Sequence, residues 1–316
     1  MTSPRIAVLV PCYNEAPTVE KVVVDFRRAL PGAIVHVFDN DSEDETARLA
    51  RNAGARVQVV SARGKGHVVR RLFADVEADV YLLVDGDDTY SAGHGPLLVE
   101  QVMAGHDMVV SVREATDTSA YRSGHAFGNR ALTGFLAWLF GRPCRDILSG
   151  YRAFSRRFVK SFPSQSSGFE IETELTVHAL ELHMPVAEVT APYKERPDGS
   201  ASKLDTWRDG FRILRTMLTL FARERPVAFY GTIGAALLAL AAVLSVPLLI
   251  TYAQTGLVPR FPTAILTAAL LVMSALSLLV GVILDSVTRG RRELKALAYL
   301  RWPAPARPEP TPADGP

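Results

Sequence analysis

The sequence predicts an α/β domain with a mostly parallel sheet, followed by two long apolar helices. Three observations support this fold class. Short β-branched runs alternate with helix-length stretches over residues 5–115, polar clusters follow those runs, and two long segments after position 225 carry no charge. With 316 residues, 48% of them apolar, the chain can form one domain of ordinary size and an additional segment.

The first part of the chain alternates between two periodicities. This alternation predicts βαβ units and a sheet covered by helices on both faces, with ligands at the carboxyl ends of the strands. The predicted strands are Ile6–Val10, Ala33–Phe38, Val57–Val60, Val80–Val84 and Met108–Val112. The predicted helices are Glu15–Leu30, Asp44–Ala53, Gly66–Ala78 and Pro96–Ala104. The polar clusters at strand ends are Pro11–Glu15, Asp39–Ser42, Arg63–Gly66 and Asp85–Asp88.

Residues 120–200 predict two further helices, Ser123–Phe140 and Glu170–Leu182, and a strand near Val186–Pro192. Residues 205–224 then repeat large apolar side chains at helical spacing, with arginines between them. A basic amphipathic helix of this kind is typical of a membrane surface. The alternative is ordinary packing against a core.

Two uncharged segments follow, Pro226–Pro259 and Phe261–Leu284, and each supplies the ~20 apolar residues that cross a bilayer. Arginines and a lysine flank the outer ends of the pair, and only Arg260 lies between the segments. The positive-inside rule therefore predicts a hairpin with both ends in the cytoplasm, in the plasma membrane. No signal-peptide pattern precedes the first strand. The predicted boundaries are 1–204 for the α/β domain, 205–225 for the interfacial helix, 226–286 for the hairpin (spans about 227–252 and 261–284) and 287–316 for a basic, then Pro-rich tail.

Composition excludes some classes of function. Lysine and arginine number 35 against 33 acids, a formal charge of +2, which does not favour a nucleic-acid binder held by bulk charge. The two cysteines, Cys12 and Cys144, lack metal-ligand spacing. They are predicted to be buried thiols, with one disulfide as the alternative.

The strongest local signal for chemistry is Asp85-Gly86-Asp87-Asp88, directly after an apolar strand. Like charges held together at a sheet edge are costly unless a cation neutralises them. Hard oxygen ligands suit Mg²⁺ or Mn²⁺, so Asp85 and Asp87 are the candidate metal ligands. The alternative is a turn in which an aspartate caps the next helix.

Two more segments join this motif: Pro11-Cys12-Tyr13-Asn14-Glu15 after the first strand, and the acidic run from Asp39 to Thr46 after the second. The combination resembles the family 2 glycosyltransferases of the GT-A fold, and more narrowly the dolichyl- and polyprenyl-phosphate sugar synthases. The resemblance implies that the nucleotide is held by Pro11, Tyr13, Asn14, Glu15 and Asp39. Three positions depart from the usual family pattern: Asn40 stands for Asp, and Asp41 and Glu45 stand for Gly. Asp41 tolerates a left-handed turn, whereas Glu45 puts the local turn geometry in question.

The remaining family segments occur in order over about residues 4–225. Lys65, between two glycines, matches a turn that approaches phosphate. Asp146-Ile147-Leu148-Ser149-Gly150-Tyr151-Arg152 resembles the segment beside the reacting sugar, and Arg113 and Arg122 fall where acceptor-phosphate arginines are expected, before Asn129 and Arg130. The loop carrying Arg196, Ser200, Ser202 and Lys203 resembles one that closes on the diphosphate. One of Glu170, Glu172 and Glu174 is expected to face the acceptor site, and spacing leaves open which one.

The resemblance implies inverting transfer of a hexose-type sugar from a UDP- or GDP-sugar to a polyprenyl phosphate such as undecaprenyl or dolichyl phosphate. Its residues would be Asp87, Asp146, Arg113 and Arg122 at the reacting groups, with Asp85, Lys65, Arg196, Ser202 and Lys203 at the donor. A phosphate monoester is already ionised at pH 7, so the site needs to supply position and charge stabilisation rather than a strong base.

Other interpretations stay open. A processive polysaccharide synthase shares the Asp-x-Asp motif, but the lone Arg301-Trp302 has Ala298 where that class needs glutamine. A catalytically silent nucleotide-sugar-binding or scaffolding membrane protein is a second alternative, and a nucleotidyltransferase, which would need no hairpin, is a third. The sugar, the nucleotide, the lipid length and the preferred metal are not determined by the sequence. Association with copies of itself through the membrane helices is also open.

Overall fold

The computed structural model describes residues 4–115, 133–141, 145–164, 168, 170–194 and 206–305. A seven-stranded sheet in the order β3-β2-β1-β4-β6-β5-β7 forms the centre of the first part. The strands are β1 Ile6–Cys12, β2 Ile34–Asp39, β3 Arg56–Val59, β4 Val80–Leu83, β5 Met108–Ala115, β6 Arg152–Ser155 and β7 Val186–Tyr193. All neighbours pair in parallel except β6, which runs antiparallel to β4 and β5. The predicted mostly parallel α/β sheet is therefore confirmed.

Helices cover both faces of this sheet, as the alternating pattern predicts. They are α1 Val19–Ala29, α2 Thr46–Asn52, α3 Lys65–Asp75, α4 Gly95–Met103, α5 at 133–140, α6 Arg156–Ser161 and α7 Ile171–Glu181. Successive residues of β1 point to opposite faces, so Leu9 packs with α3 and α7 while Val10 packs with α1 and α4. Two separate apolar cores result, one on each face of the sheet.

Strand β6 and helix α6 are absent from the sequence-based prediction. The strand begins with Arg152, whose side chain is fully buried. Its guanidinium donates to the Ser149 carbonyl at 2.9 Å and the Thr176 hydroxyl at 2.8 Å, and also to the Ile147 carbonyl. A buried arginine is accommodated only when such partners satisfy it, and here they also fix the segment that precedes β6.

Within the described residues, three helices follow the sheet: α8 Thr206–Glu224, α9 Pro226–Thr255 and α10 Phe261–Leu300. Helices α9 and α10 are long and apolar enough to cross a membrane, and they fit the predicted hairpin. They approach closely where residues are small, since a Cβ on Gly234 would lie 3.2 Å from the Ser274 carbonyl oxygen. The Ser274 hydroxyl donates to the Gly234 carbonyl at 2.8 Å. Packing of this kind through small residues is typical of membrane helices.

Helix α10 continues to Leu300, past the end of the predicted span at Leu284 and into the predicted tail. The chain divides into two compact units, Met1–Phe211 with Leu294–Pro316, and Arg212–Glu293. The last turns of α10 thus belong to the unit that contains the sheet. They lie within residues 287–316, which the sequence-based prediction gives as a basic, then Pro-rich tail. The Pro-rich part of the predicted tail falls largely outside the described residues.

Candidate active site

The acidic turn after β4 lies at the carboxyl edge of the sheet, next to the end of β1. The side chain of Asp87 is buried, and its Oδ1 accepts the Thr89 hydroxyl at 2.6 Å. Gly86 is required between the two aspartates because a Cβ there would lie 2.5 Å from the Cys12 sulfur. The Gly86 carbonyl is in turn held by the Thr18 hydroxyl at 2.7 Å. Contacts with β1 and α1 therefore fix the shape of this turn.

Lys65 connects the acidic turn to α7. The residue before it, Gly64, lies in the left-handed region with φ 125°. The Lys65 Nζ lies 2.5 Å from Asp85 Oδ1 and 2.5 Å from Glu172 Oε1. Burial alone would lower the pKa of Lys65, but the adjacent carboxylates of Asp85 and Glu172 outweigh it and raise this pKa, so the ammonium stays charged. Among the three candidate glutamates, the structure places Glu172 against this lysine.

The segment that starts at Asp146 reaches the same place. Asp146 is buried and makes a two-point ion pair with Arg113 on β5, with Nε–Oδ2 and Nη2–Oδ1 distances of 2.7 and 2.8 Å. Four residues later, Gly150 leaves space beside Asp85, since a Cβ on Gly150 would lie 2.2 Å from Asp85 Oδ2. The Gly150 amide donates to the Tyr90 hydroxyl at 2.9 Å. Arg113 is therefore oriented by Asp146 and packs over the ring of Tyr193, 5.3 Å from its centroid.

The predicted nucleotide residues gather where β1 and β2 end. Pro11 pairs with Phe38 in the sheet, and the guanidinium of Arg63 stacks 4.7 Å from the ring centroid of Tyr13. The buried Asp39 accepts from both the amide and the hydroxyl of Ser42.

The loop after β1 is tied to the loop after β2 through backbone amides. The amide of Asn14 donates to the Ser42 hydroxyl and that of Glu15 to the Thr46 hydroxyl, both at 2.9 Å. Two of the three departures from the family pattern, Asp41 and Glu45, fit this geometry. Asp41 adopts the left-handed conformation with φ 59°, and Glu45, with φ −78°, needs no glycine.

Several predicted residues fall outside the described part of the chain, namely Arg122, Asn129, Arg130, Arg196, Ser200, Ser202 and Lys203. Other residues at the site had no role in the sequence-based prediction. The rings of Tyr90 and Tyr193 meet edge to face at the end of β7, with centroids 5.2 Å apart, and burial raises the pKa of both hydroxyls. A single tyrosine in the sequence gives no indication that it lies at a binding site. Asn40 is noticeable in the sequence only because it departs from the family pattern.

The donor chemistry of this site suits a divalent cation. Asp85 and Asp87 offer hard carboxylate oxygens, and Gly150 keeps the space at Asp85 Oδ2 clear of a side chain. Across the described ranges, no three histidine, cysteine, aspartate or glutamate side chains form a metal-binding group. Mg²⁺ usually keeps several waters and is bound by one or two carboxylates together with substrate phosphates.

Comparison with known proteins identifies the family. Residues 7–161 match the profile described as glycosyl transferase family 2. The chain is 37% identical over 235 residues to glycosyltransferase AglJ of Haloferax volcanii, and the matched region covers 74% of this chain and 77% of that protein. It is 27% identical over 221 residues to the dolichyl-phosphate hexose transferase of the same organism, covering 70% and 95%.

Among solved structures, glucosyl-3-phosphoglycerate synthase from Mycobacterium tuberculosis, in complex with Mn²⁺, UDP and glucosyl-3-phosphoglycerate, superposes with a TM-score of 0.58. The match covers 70% of this chain and 80% of that one, at 24% identity, and it shows that the two share a fold. With the sheet order, the acidic turn and the matched relatives together, this chain belongs to glycosyl transferase family 2 and is a glycosyltransferase of the GT-A fold.

Proposed function

We propose that this glycosyltransferase transfers a hexose-type sugar, with inversion, from a nucleotide diphosphate to a polyprenyl phosphate. The observation that carries the proposal is that an acidic site and two membrane-length apolar helices occur in the same chain. Asp39, Asp85 and Asp87 converge at the carboxyl edge of the sheet, and the same chain carries two apolar helices suited to a bilayer. A membrane-resident acceptor explains why a nucleotide-sugar enzyme would have such helices.

The described residues divide into a donor side and an acceptor side. The ends of β1 and β2, with Tyr13 and Asp39, would bind the nucleoside. Asp85 and Asp87 would hold a divalent ion, Mg²⁺ or Mn²⁺, which when bound supplies positive charge to the departing diphosphate. The Mycobacterium tuberculosis relative of the same fold was solved with Mn²⁺ and UDP, in line with this assignment.

On the acceptor side, Arg113 would orient the lipid phosphate. Its two-point pairing with Asp146 fixes the guanidinium plane, and an oriented guanidinium suits phosphate oxygens. The phosphate oxygen would attack the anomeric carbon in line with the leaving diphosphate, so that a β-linked product would form from an α-linked donor. Because the nucleophile is already ionised, positioning and charge stabilisation are the contributions this site has to make.

The test is transfer of radiolabel from a panel of UDP- and GDP-sugars to undecaprenyl phosphate, using the full chain in membranes with Mg²⁺ or Mn²⁺, and with EDTA. We expect metal-dependent label in the lipid phase for one donor. Asp87→Asn should lower the rate by about 10²-fold or more, since it weakens the site for the cation that stabilises the leaving group. Glu20→Gln, at an exposed acid on α1, is the control and should keep activity.

Three outcomes would contradict the proposal. Absence of label with every donor, from folded protein in membranes, would favour a different acceptor or a silent binding role. An α-linked product would exclude the single in-line displacement. Label in a polymer rather than in a monoglycosylated lipid would favour the processive synthase.

A further inference from the structure

A lysine already occupies one side of the predicted metal ligand Asp85. The Lys65 ammonium lies 2.5 Å from Asp85 Oδ1, and only 12% of the lysine side chain is exposed. A cation bound directly to that oxygen would have to share it with the ammonium. Two cations on one carboxylate oxygen repel each other strongly where little water screens them. In the described structure, the Lys65 ammonium therefore supplies to Asp85 Oδ1 the positive charge that a metal ion would otherwise supply.

The other side of the ammonium is held by Glu172. That carboxylate is 7% exposed and lies 2.5 Å from Lys65 Nζ, whereas the Asp85 side chain is 26% exposed. Glu172 sits on α7 and Asp85 follows β4, so the lysine joins two separate elements. One lysine balances two acids here, and a shift of the ammonium towards Glu172 would free Asp85 without leaving the lysine unpaired.

We propose that Lys65 is a built-in competitor for the divalent cation, held on Asp85 until a nucleotide diphosphate binds, and that Glu172 is the positioning residue that takes it over. This rests on the proposed function, which supplies both the metal and the diphosphate. The negative charge of a bound diphosphate favours metal and ammonium being present together. Metal and nucleotide then bind with positive coupling, each raising the affinity of the other by the same factor.

The experiment measures Mn²⁺ binding directly, by the electron paramagnetic resonance signal of free Mn²⁺, on the full chain in detergent with and without UDP. Wild type should bind Mn²⁺ weakly alone and at least about tenfold more tightly with UDP. Lys65→Met should tighten binding without UDP by about five- to tenfold and reduce the gain that UDP brings. Unchanged or weaker binding in folded Lys65→Met protein overturns the proposal.

Glu172→Gln tests the same idea with the opposite sign. It leaves the ammonium to Asp85 alone, so Mn²⁺ binding without UDP should weaken several-fold. If Glu172 acts through Lys65, the same substitution in the Lys65→Met background should have a clearly smaller effect, as in a double-mutant cycle. An equal loss in both backgrounds would mean that Glu172 contacts the metal itself, and would overturn its positioning role. The double variant removes both members of the buried pair, so it leaves no unpaired buried charge. It can therefore be measured even if one of the single variants does not fold.

Lys21→Met is the matched control for bulk charge. Lys21 lies 2.8 Å from Asp88 in the same acidic turn, but its side chain is 54% exposed. Equal tightening by Lys21→Met would assign the effect to net charge and overturn the specific role of Lys65. Asp85→Asn should abolish the tight Mn²⁺ site. No sugar or acceptor enters these titrations, so their outcome is separate from the transfer assay that tests the proposed function.

Discussion

Asn40 stands where the family pattern has aspartate, and the hydrogen bonds of its side-chain amide explain why asparagine fits this position. Its Nδ2 donates to the carbonyls of Val60 and Ala62 at 2.9 and 2.8 Å, while Oδ1 accepts the amide of Gly64 at 2.7 Å. Aspartate could accept from Gly64 but could not donate to the two carbonyls. The side chain is 5% exposed, so water cannot replace the lost donors. Asn40 thereby fixes the loop that delivers Lys65.

We expect Asn40→Asp to destabilise the protein by about 1–3 kcal/mol, because a buried carboxylate would face two carbonyl oxygens. It should also raise the KM for the nucleotide sugar more than it lowers kcat, since the loop before Lys65 loosens. Thermal unfolding in detergent and steady-state kinetics measure the two effects. Asp41→Asn, one residue on and 58% exposed, should change stability by less than about 0.5 kcal/mol. Equal effects of the two substitutions would refute the assigned role of the amide.

The sequence predicts some residues of the candidate site and not others. Asp85, Asp87 and Asp39 stand out because acids directly after apolar strands are unusual and costly without a partner. Glu172 does not stand out, because α7 is buried along nearly its whole length and three glutamates compete for one role. The partner of Arg113 is likewise hidden in the sequence, since Asp146 lies 33 positions away and only the fold brings the two together.

At the scale of elements, periodicity predicts the five parallel strands from β1 to β5 and the helices between them. It fails at β6, whose four residues are Arg-Ala-Phe-Ser and lack the β-branched run that marks the other strands. The predicted span ends at Leu284 with the uncharged segment, and the helix that contains it continues to Leu300. Hydropathy drops at Asp285, but the following residues are mostly good helix formers, and no proline interrupts them before Pro303. Helix propensity, rather than hydropathy, sets the end of α10.

The last turns of α10 provide polar partners for buried acids of the sheet unit. Tyr299 donates to Asp107 Oδ2 at 2.7 Å, and Lys295 lies 2.6 Å from Glu181. Asp107 is fully buried and also accepts from Ser155 and Arg157. This segment is therefore part of the folded domain that carries the site.

We expect Tyr299→Phe to lower the stability of the protein by about 1–2 kcal/mol, because it removes one donor from a buried carboxylate that keeps its other partners. The shift is measured as the thermal midpoint of the detergent-solubilised chain. Tyr252→Phe, at a tyrosine that is 57% exposed, is the control and should leave the midpoint unchanged. An unchanged midpoint for Tyr299→Phe would show that the hydrogen bond from Tyr299 to Asp107 does not stabilise the domain.

At the scale of the whole molecule, the chain combines a polar site and a strongly apolar surface. Large side chains on α9 and α10 stand exposed, among them Val243 at 68%, Leu249 at 64% and Val272 at 59%. An exposed apolar area of this extent marks a surface covered by another phase or partner. The length and composition of both helices favour a bilayer as that cover. Sequence predicts this feature well, because a span depends only on local composition.

Under the proposed function, enzyme and acceptor share one bilayer, and the rate should follow the surface concentration of the acceptor rather than its bulk concentration. With the full chain in proteoliposomes and a fixed amount of undecaprenyl phosphate, added phospholipid dilutes the acceptor within the bilayer. We expect the initial rate to fall in proportion to the acceptor's mole fraction in the lipid, at subsaturating acceptor. A short-chain, water-soluble prenyl phosphate is the control, since its rate should not respond to added lipid. If the long-chain acceptor behaved like the short one, the helices would not serve to bring enzyme and acceptor into the same bilayer.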